Sequence, residues 1–436
     1  MTKRSAETEI KRKAVWADED DHNSKIEVPK LRKSIKDDLV RPTDDDTLKS
    51  EDYTQRLQTA FKKRHGGSTP AWAQSRKKEE DEDEESGLLT KSAGDYIEKD
   101  SFLPKTTIST TLIRDFNIAH KSTRPINVVR FHKTRPVLIT ADEAGTVQLF
   151  KVDSEVKKDN FLQSSKFTKF PIHSMEIFEK GQSVLCSSST QEYLMSYNME
   201  KSKAAQHRLP NSIPKQGINL FSISPDGQIL AIAGHNFHVY LLAANVGFCL
   251  IFRWNTSKTI SLPSNATDLK FAPGFSRELW VMTEDGQVVI ADARGSSQHT
   301  FVDDGAVHGT RIALSNHGDY VATGSDTGIV NVYDGLKIRD ETTPKPLFAV
   351  DSLTTAISSV SFSSDAQMVA ITSNVKVNQL RLVHLRSKTV FKNFPLRHDK
   401  VTSARSTDFS PNSGYLAVGC DDGKLNLFRI EFFKDY

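Results

Sequence analysis

Seven apolar residues recur along this chain like marks on a ruler. They are Phe131, Ile177, Ile223, Phe271, Leu314, Phe362 and Phe409, with successive spacings of 46, 46, 48, 43, 48 and 47 residues. Each ends a short strand pattern, as in "NVVRF", "TDLKF", "SSVSF" and "RSTDF". A turn follows ("SPDG", "SPNSG"), then a strand of small and β-branched residues such as "ILAIAG", "YVATGS", "MVAITS" or "YLAVGC". Next comes a tight hairpin, "EAGT", "EDGQ", "DTGI" or "DDGK", in which glycine supplies the backbone angles, and a third strand such as "VNVYD" or "LNLFRI". About four short strands per period in the mid-forties predict a β-propeller of the WD-repeat type. Seven copies predict seven blades.

The last copy ends six residues after its third strand, in "EFFKDY", so its fourth strand must come from elsewhere. The segment "TISTTLIRDFNI" (107–118) precedes the first copy and has strand composition. It is expected to supply the missing outer strand and close the ring, removing edges that invite aggregation. The fold expected is therefore all-β: a seven-bladed WD-repeat β-propeller over 105–436, preceded by a disordered, charged tail over 1–104.

Charge separates the two regions. The first hundred residues hold 21 Lys or Arg and 24 Asp or Glu, so nearly half are charged, against about a fifth of the remainder. Too few apolar residues are present there to offset the entropy of ordering the backbone. Two tryptophans interrupt the tail, Trp16 in "AVWADEDD" and Trp72 in "TPAWAQ". They either insert into a partner's pocket or sit inert in a solvated linker. The basic clusters Lys11, Arg12, Lys13 and Lys62, Lys63, Arg64, with a third at 76–78, resemble nuclear localisation signals and otherwise serve solubility. Net charge of the whole chain is +3, which says little about partners. The amino terminus lacks the apolar run of a secretory signal. The longest apolar stretch (239–252) is too short to span a membrane and lies among strand patterns. Three cysteines without a close pair argue against a disulfide or zinc framework and for a reducing compartment. A soluble intracellular protein is expected, with no membrane partner.

Sites of chemistry are sought and not found. "DTG" at 326–328 has the letters of an aspartic protease motif but occupies the hairpin slot filled elsewhere by "DDG" and "EDG". His235 and His238 have metal-like spacing in another hairpin, with no Cys, Asp or Glu close by in sequence to complete a site. His120 and His398 each lie eleven residues before an anchor Phe, where a core or rim role is expected. No P-loop or nucleophile elbow occurs. The expectation is a non-enzymatic protein with no catalytic residue, cofactor, metal or small-molecule substrate.

Several stretches together carry a family resemblance. "FVDDG" (301–305) leading into "YVATGSDTGIVNVY" (320–333), then "TPKP" (343–346), "RLVHL" (381–385) and "SPNSGYLAVG" (410–419), is similar to the U3 small nucleolar RNA-associated protein 18 family. These are WD-repeat subunits of the small-subunit processome. In the tail, "AVWADEDD", "PAWAQ", "LLTKSAGDYI" and Leu103-Pro104 resemble the family's pre-propeller region. The usual Trp-Asp dipeptides are replaced here by "FK", "YD" and "FR". Some members recruit the helicase of the RNA exosome through a Leu-Phe-x-apolar-Asp motif in the tail. Residues 1–104 contain none, and "LFKVD" (149–153) falls on a third strand of the first repeat, where a structural role is expected.

The resemblance implies a scaffold in the nucleus and nucleolus, needed for processing pre-ribosomal RNA to the small-subunit RNA. Its implied partners are other processome WD-repeat proteins, the U3 small nucleolar ribonucleoprotein and pre-ribosomal RNA. The alternative is a WD-repeat substrate receptor of a ubiquitin ligase. RNA-dependent sedimentation in a very large particle distinguishes the two.

Overall fold

Short β-branched strands joined by tight hairpins pair with their nearest neighbours in sequence, and the result is seven four-stranded antiparallel sheets. The structure, a computed structural model, describes residues 25–27, 47–64 and 103–436, the last apart from 114–115, 153–159, 179–180, 246–252, 275–276, 397–398, 400 and 434–435. The chain divides into two units, 1–98 and 99–436. In the first, strand β1 (Lys25–Glu27) pairs antiparallel with β2 (Thr47–Lys49), and helix α1 runs Ser50–Arg64. The rest of the segment expected to be a disordered tail lies outside the described residues.

The second unit is the propeller. Its first six blades span 126–166, 172–208, 221–261, 266–302, 309–350 and 359–390. In each, sequence order matches spatial order from the innermost strand outward. All seven anchor residues fall at or near the end of an innermost strand, as the spacing predicts.

The seventh blade is the exception. It takes three strands from 404–430 and its outer strand from β3 (Thr110–Ile113), which pairs with Leu425–Ile430 in the register Thr110↔Ile430, Leu112↔Phe428. The expected ring closure is therefore present. The chain is held on both sides of this strand. Leu103 and Ile108 are buried in the cluster between blades six and seven. Beyond it, the Phe116 N–H donates to Leu425 O (2.8 Å).

Packing explains the composition of the strands. Among the described residues there are seven hydrophobic clusters, one at each junction between adjacent blades. The second strands are covered on both faces, and Ser183–Ser188, Met368–Thr372 and Tyr415–Cys420 are buried at every residue. Small and branched side chains are what fit there. Outer strands are half solvated, and Lys203–Arg208 buries only His207. At the seam between blades seven and one, a Cβ on Gly419 would lie 2.8 Å from the Ile126 and Val129 side chains. Tyr436 adds a second tie across that seam, with its ring 5.9 Å from Phe131 and its hydroxyl donating to His132 O.

Closing the ring through β3 has a measurable consequence. Thr111→Pro removes a ladder donor from the strand, opposite Arg429, and is expected to cost about 1–3 kcal/mol. Urea unfolding followed by intrinsic fluorescence should show a lower midpoint for this variant than for Ser165→Pro, at the paired position opposite Val147 on the outer strand of blade one. Equal midpoints would mean that β3 carries no special share of the stability.

Candidate interaction surfaces of the propeller

The innermost strands line the central channel, and five of the seven break regular pairing at the same place. Register shifts by one residue between Ile126 and Val128, Ile172 and Ser174, Ala266 and Asp268, Gly309 and Arg311, and Ala404 and Ser406. The extra residues are Asn127, His173, Thr267, Thr310 and Arg405. A bulge re-aims the side chain it inserts. In a regular strand, residues three apart point to opposite faces. Here Asn127 and Arg130 line the same cavity, of about 450 Å³, together with His173, Lys270, Arg311 and Arg405.

Polar side chains on these strands tie each blade to the next. Counting back from the anchor, the residue one before it accepts the anchor N–H of the following blade. Asp408 takes the Phe131 N–H (2.8 Å), Glu176 that of Ile223 (2.6 Å) and Ser222 that of Phe271 (3.3 Å). The residue three before it accepts the N–H two before the next anchor. Ser406 takes Val129 (3.0 Å), Asp268 takes Ile312 (3.1 Å) and Ser359 takes Thr407 (3.3 Å). These N–H groups face the channel, where a strand has no lateral partner, so each bond satisfies a donor that would otherwise need water. The sequence signal was present as acids and serines at fixed offsets in otherwise apolar strands, and sequence reasoning missed it.

Charges in the deeper layer offset one another. Burial pushes the carboxyls of Glu176 and Asp408 above their ordinary values, against the opposing pull of Lys270 and Arg130. Lys270 Nζ lies 3.8 Å from Glu176. Nearer the mouth, Arg405 Nε pairs with Asp421 (2.7 Å) and its Nη1 donates to Asn127 Oδ1 (2.7 Å). Arg311 Nε donates to Ser358 O (2.8 Å).

The "FVDDG" segment forms a second organised region, on the loop that leads from blade four into blade five. Asp303 is buried, and its Oδ1 accepts from the Tyr333 hydroxyl (2.5 Å) and Asn331 Nδ2 (2.9 Å). The Asp304 N–H donates to the same hydroxyl (2.9 Å), and Asn331 Nδ2 also reaches Asp304 O (2.7 Å). Burial raises the Asp303 carboxyl above its ordinary value. The phenol of Tyr333 is also pushed up, by burial and the adjacent carboxylate. This network pins a loop whose Val302 and Val307 remain exposed.

Of the residues singled out in the tail, Trp16, Trp72, Lys11, Arg12 and Lys13 lie outside the described residues. Lys62, Lys63 and Arg64 form the last turn of α1. Among the motifs weighed for chemistry, "DTG" is a hairpin whose Gly328 has φ +88°, and a Cβ there would lie only 2.7 Å from Leu353 O. Glycine stands at this position because the turn requires it. His235 lies in the turn leading to the strand that His238 begins. Among the described residues, no group of three or more His, Cys, Asp or Glu side chains could hold a metal. His120 stacks on Phe161 at 3.7 Å, a rim role, and His398 is outside the described residues. In "LFKVD", Leu149, Phe150 and Val152 are buried in the core, and Asp153 is not described. Cys186 and Cys420 are free and buried, and burial raises both thiols, that of Cys420 to about 12. No described helix is long and apolar enough to cross a membrane.

Comparison with known proteins agrees with this architecture. Residues 295–334 and 390–429 match the family described as WD domain, G-beta repeat. The chain is 58% identical to a Caenorhabditis elegans protein named U3 small nucleolar RNA-associated protein 18 homolog, over 97% of this chain and 98% of that one. A human protein of the same name is 30% identical over 98% of this chain and 75% of its own. The Saccharomyces cerevisiae U3 small nucleolar RNA-associated protein 18 is 25% identical, over 96% and 80%.

The Asp303 network yields a stability test. Tyr333→Phe removes the hydroxyl that bridges Asp303 and Asp304 and leaves a buried carboxylate short of a donor, at an expected cost of about 1–3 kcal/mol. Hydrogen exchange should speed up at Asp304, whose N–H loses its acceptor, with little change in blades one and two. Unaltered exchange over 302–308 would show that the network does not hold the loop.

Proposed function

The chain belongs to the U3 small nucleolar RNA-associated protein 18 family, and from that premise we propose that it is a scaffold subunit of the small-subunit processome. It would act in the nucleolus, where pre-ribosomal RNA is processed to the small-subunit RNA. The observation that carries this reading is the near end-to-end identity with relatives named for association with U3 small nucleolar RNA. The match covers the tail as well as the propeller. The closed ring suits such a role, since its strands are occupied in holding the blades and its loops are free to vary. We assign no reaction to it. Its partners on this reading are other processome WD-repeat proteins, the U3 small nucleolar ribonucleoprotein and pre-ribosomal RNA.

The tail, residues 1–104, would work as an extended arm. Helix α1 exposes close to half of Leu57 and Phe61, and a fifteen-residue helix is marginal in water by itself. Such a segment gains order by laying apolar side chains on a partner. Trp16 and Trp72 would be its anchors, and the clusters at Lys11, Arg12, Lys13 and Lys62, Lys63, Arg64 would serve nuclear import and salt-sensitive contacts to phosphates.

Depletion of the protein is expected to lower small-subunit ribosomal RNA and to build up its unprocessed precursor, with large-subunit RNA spared, read by northern hybridisation. A propeller lacking residues 1–104 should rescue poorly, and Trp16→Ala and Trp72→Ala should be the most harmful single changes in the tail. Normal precursor processing after depletion would discard the scaffold reading in favour of a ubiquitin-ligase receptor. Full rescue without the tail would discard only the arm.

A further inference from the structure

The channel mouth holds a concentration of positive charge that the fold does not use up. Arg130, Lys270, Arg311 and Arg405 line the cavity with His173, and the one carboxylate among its lining residues is Asp268. Both oxygens of Asp268 are taken by backbone N–H groups, Oδ1 by Leu269 (3.0 Å) and Oδ2 by Ile312 (3.1 Å). Deeper in the channel, Arg130 and Lys270 face Glu176 and Asp408, so that layer largely neutralises itself. The mouth does not. Asp421 sits on Arg405, but among the described residues no carboxylate forms an ion pair with Arg311, whose Nε is held by Ser358 O while its two terminal nitrogens remain for another acceptor. The His173 ring makes no hydrogen bond among the described residues. Burial first, and then the charge of nearby Arg311 and Arg405, lower its pKa, while Glu143 acts the other way. Two guanidinium groups and an imidazole thus line one recess, where only Arg405 has a carboxylate partner among the described residues.

We propose that this mouth binds the phosphate monoester of a phosphorylated serine or threonine on a partner protein, with Arg311, Arg405 and His173 as its ligands. The recess, of about 450 Å³, is lined by residues of the innermost strands and the loops beside them. A phosphomonoester at the end of a side chain can enter and present three terminal oxygens with close to two negative charges. Paired arginines match that geometry with short charge-assisted bonds. The phosphodiester of an RNA backbone carries one charge, has two of its oxygens esterified, and brings flanking sugars that the recess would have to admit. The two bulges that insert His173 and Arg405 are what point these side chains inward. The site stands on the propeller alone and is independent of the scaffold role.

His173 supplies the readout. In full-length protein labelled with 13C-histidine, its ring resonance is identified by its loss in His173→Gln. Millimolar O-phosphoserine is expected to move that resonance saturably, whereas serine and the dinucleotide UpU should not. Arg311→Met should weaken phosphoserine binding about tenfold, the loss of a hydrogen-bonded charge partner. Far-UV circular dichroism confirms that each variant is folded. If Arg311→Met fails to fold, His173→Gln is tested instead by equilibrium dialysis of 14C-phosphoserine, where the same direction of change is expected. No movement with phosphoserine, equal affinity after substitution, or movement as large with UpU would each overturn the proposal.

Discussion

Everything in this propeller depends on one antiparallel pairing, Thr110–Ile113 against Leu425–Ile430. A blade is apolar on both faces, so any arrangement short of a ring leaves two faces wet and two sheet edges unpaired. The seven clusters between blades form a cycle, and the one between blades seven and one contains Ile126, Val129, Tyr415 and Leu427. Its burial presupposes closure. So does the pair of polar ties from Asp408 and Ser406 into blade one. Leu103 and Ile108 pack between blades six and seven and Tyr436 packs across the seam between seven and one, so additional contacts flank the closing blade on both faces.

Much of this architecture was legible in the sequence because it follows from spacing and composition. The anchor residues mark the innermost strands, the glycine hairpins mark the turns, and the absence of a fourth strand after 430 predicts that 107–118 returns to fill it. What stayed hidden depends on a register change that no periodicity reveals. A bulge at Asn127, His173 or Arg405 leaves the strand reading as a strand, yet it moves a polar side chain from a packed face to the channel. The Asp303 network was hidden for a different reason. Its partners, Asn331 and Tyr333, lie a full hairpin away, and "FVDDG" alone reads as an ordinary turn. The family resemblance rested on that stretch without indicating why its third position, Asp303, must be acidic.

The innermost strands also show how one set of polar residues can serve two purposes. Short acceptors at offsets of one and three residues fasten blade to blade, and they must stay where they are for the ring to hold. Beside them lie positions, four before the anchor in blade two, whose side chains line the channel without being needed for the fastening. His173 is one of these. A scaffold that keeps its fastenings constant can vary such positions and its loops without disturbing the barrel of strands beneath them. This separation is consistent with a family in which relatives retain 25–58% identity over nearly the whole of this chain.

Closing a ring with the first strand of the propeller has a temporal side. The contact between Thr111 and Glu431 joins residues 320 positions apart, so Glu431 leaves the ribosome long after Thr111. During synthesis, β3 therefore waits for a strand that does not yet exist, while the finished blades carry an exposed edge. Contacts this distant in sequence also form slowly once they become possible. A chain cut short anywhere in its last blade would keep six blades' worth of adhesive surface and never acquire the lock. Ring closure thus waits for synthesis of the seventh blade, and a copy without it keeps an open seam on which the cell's chaperones and proteases can act.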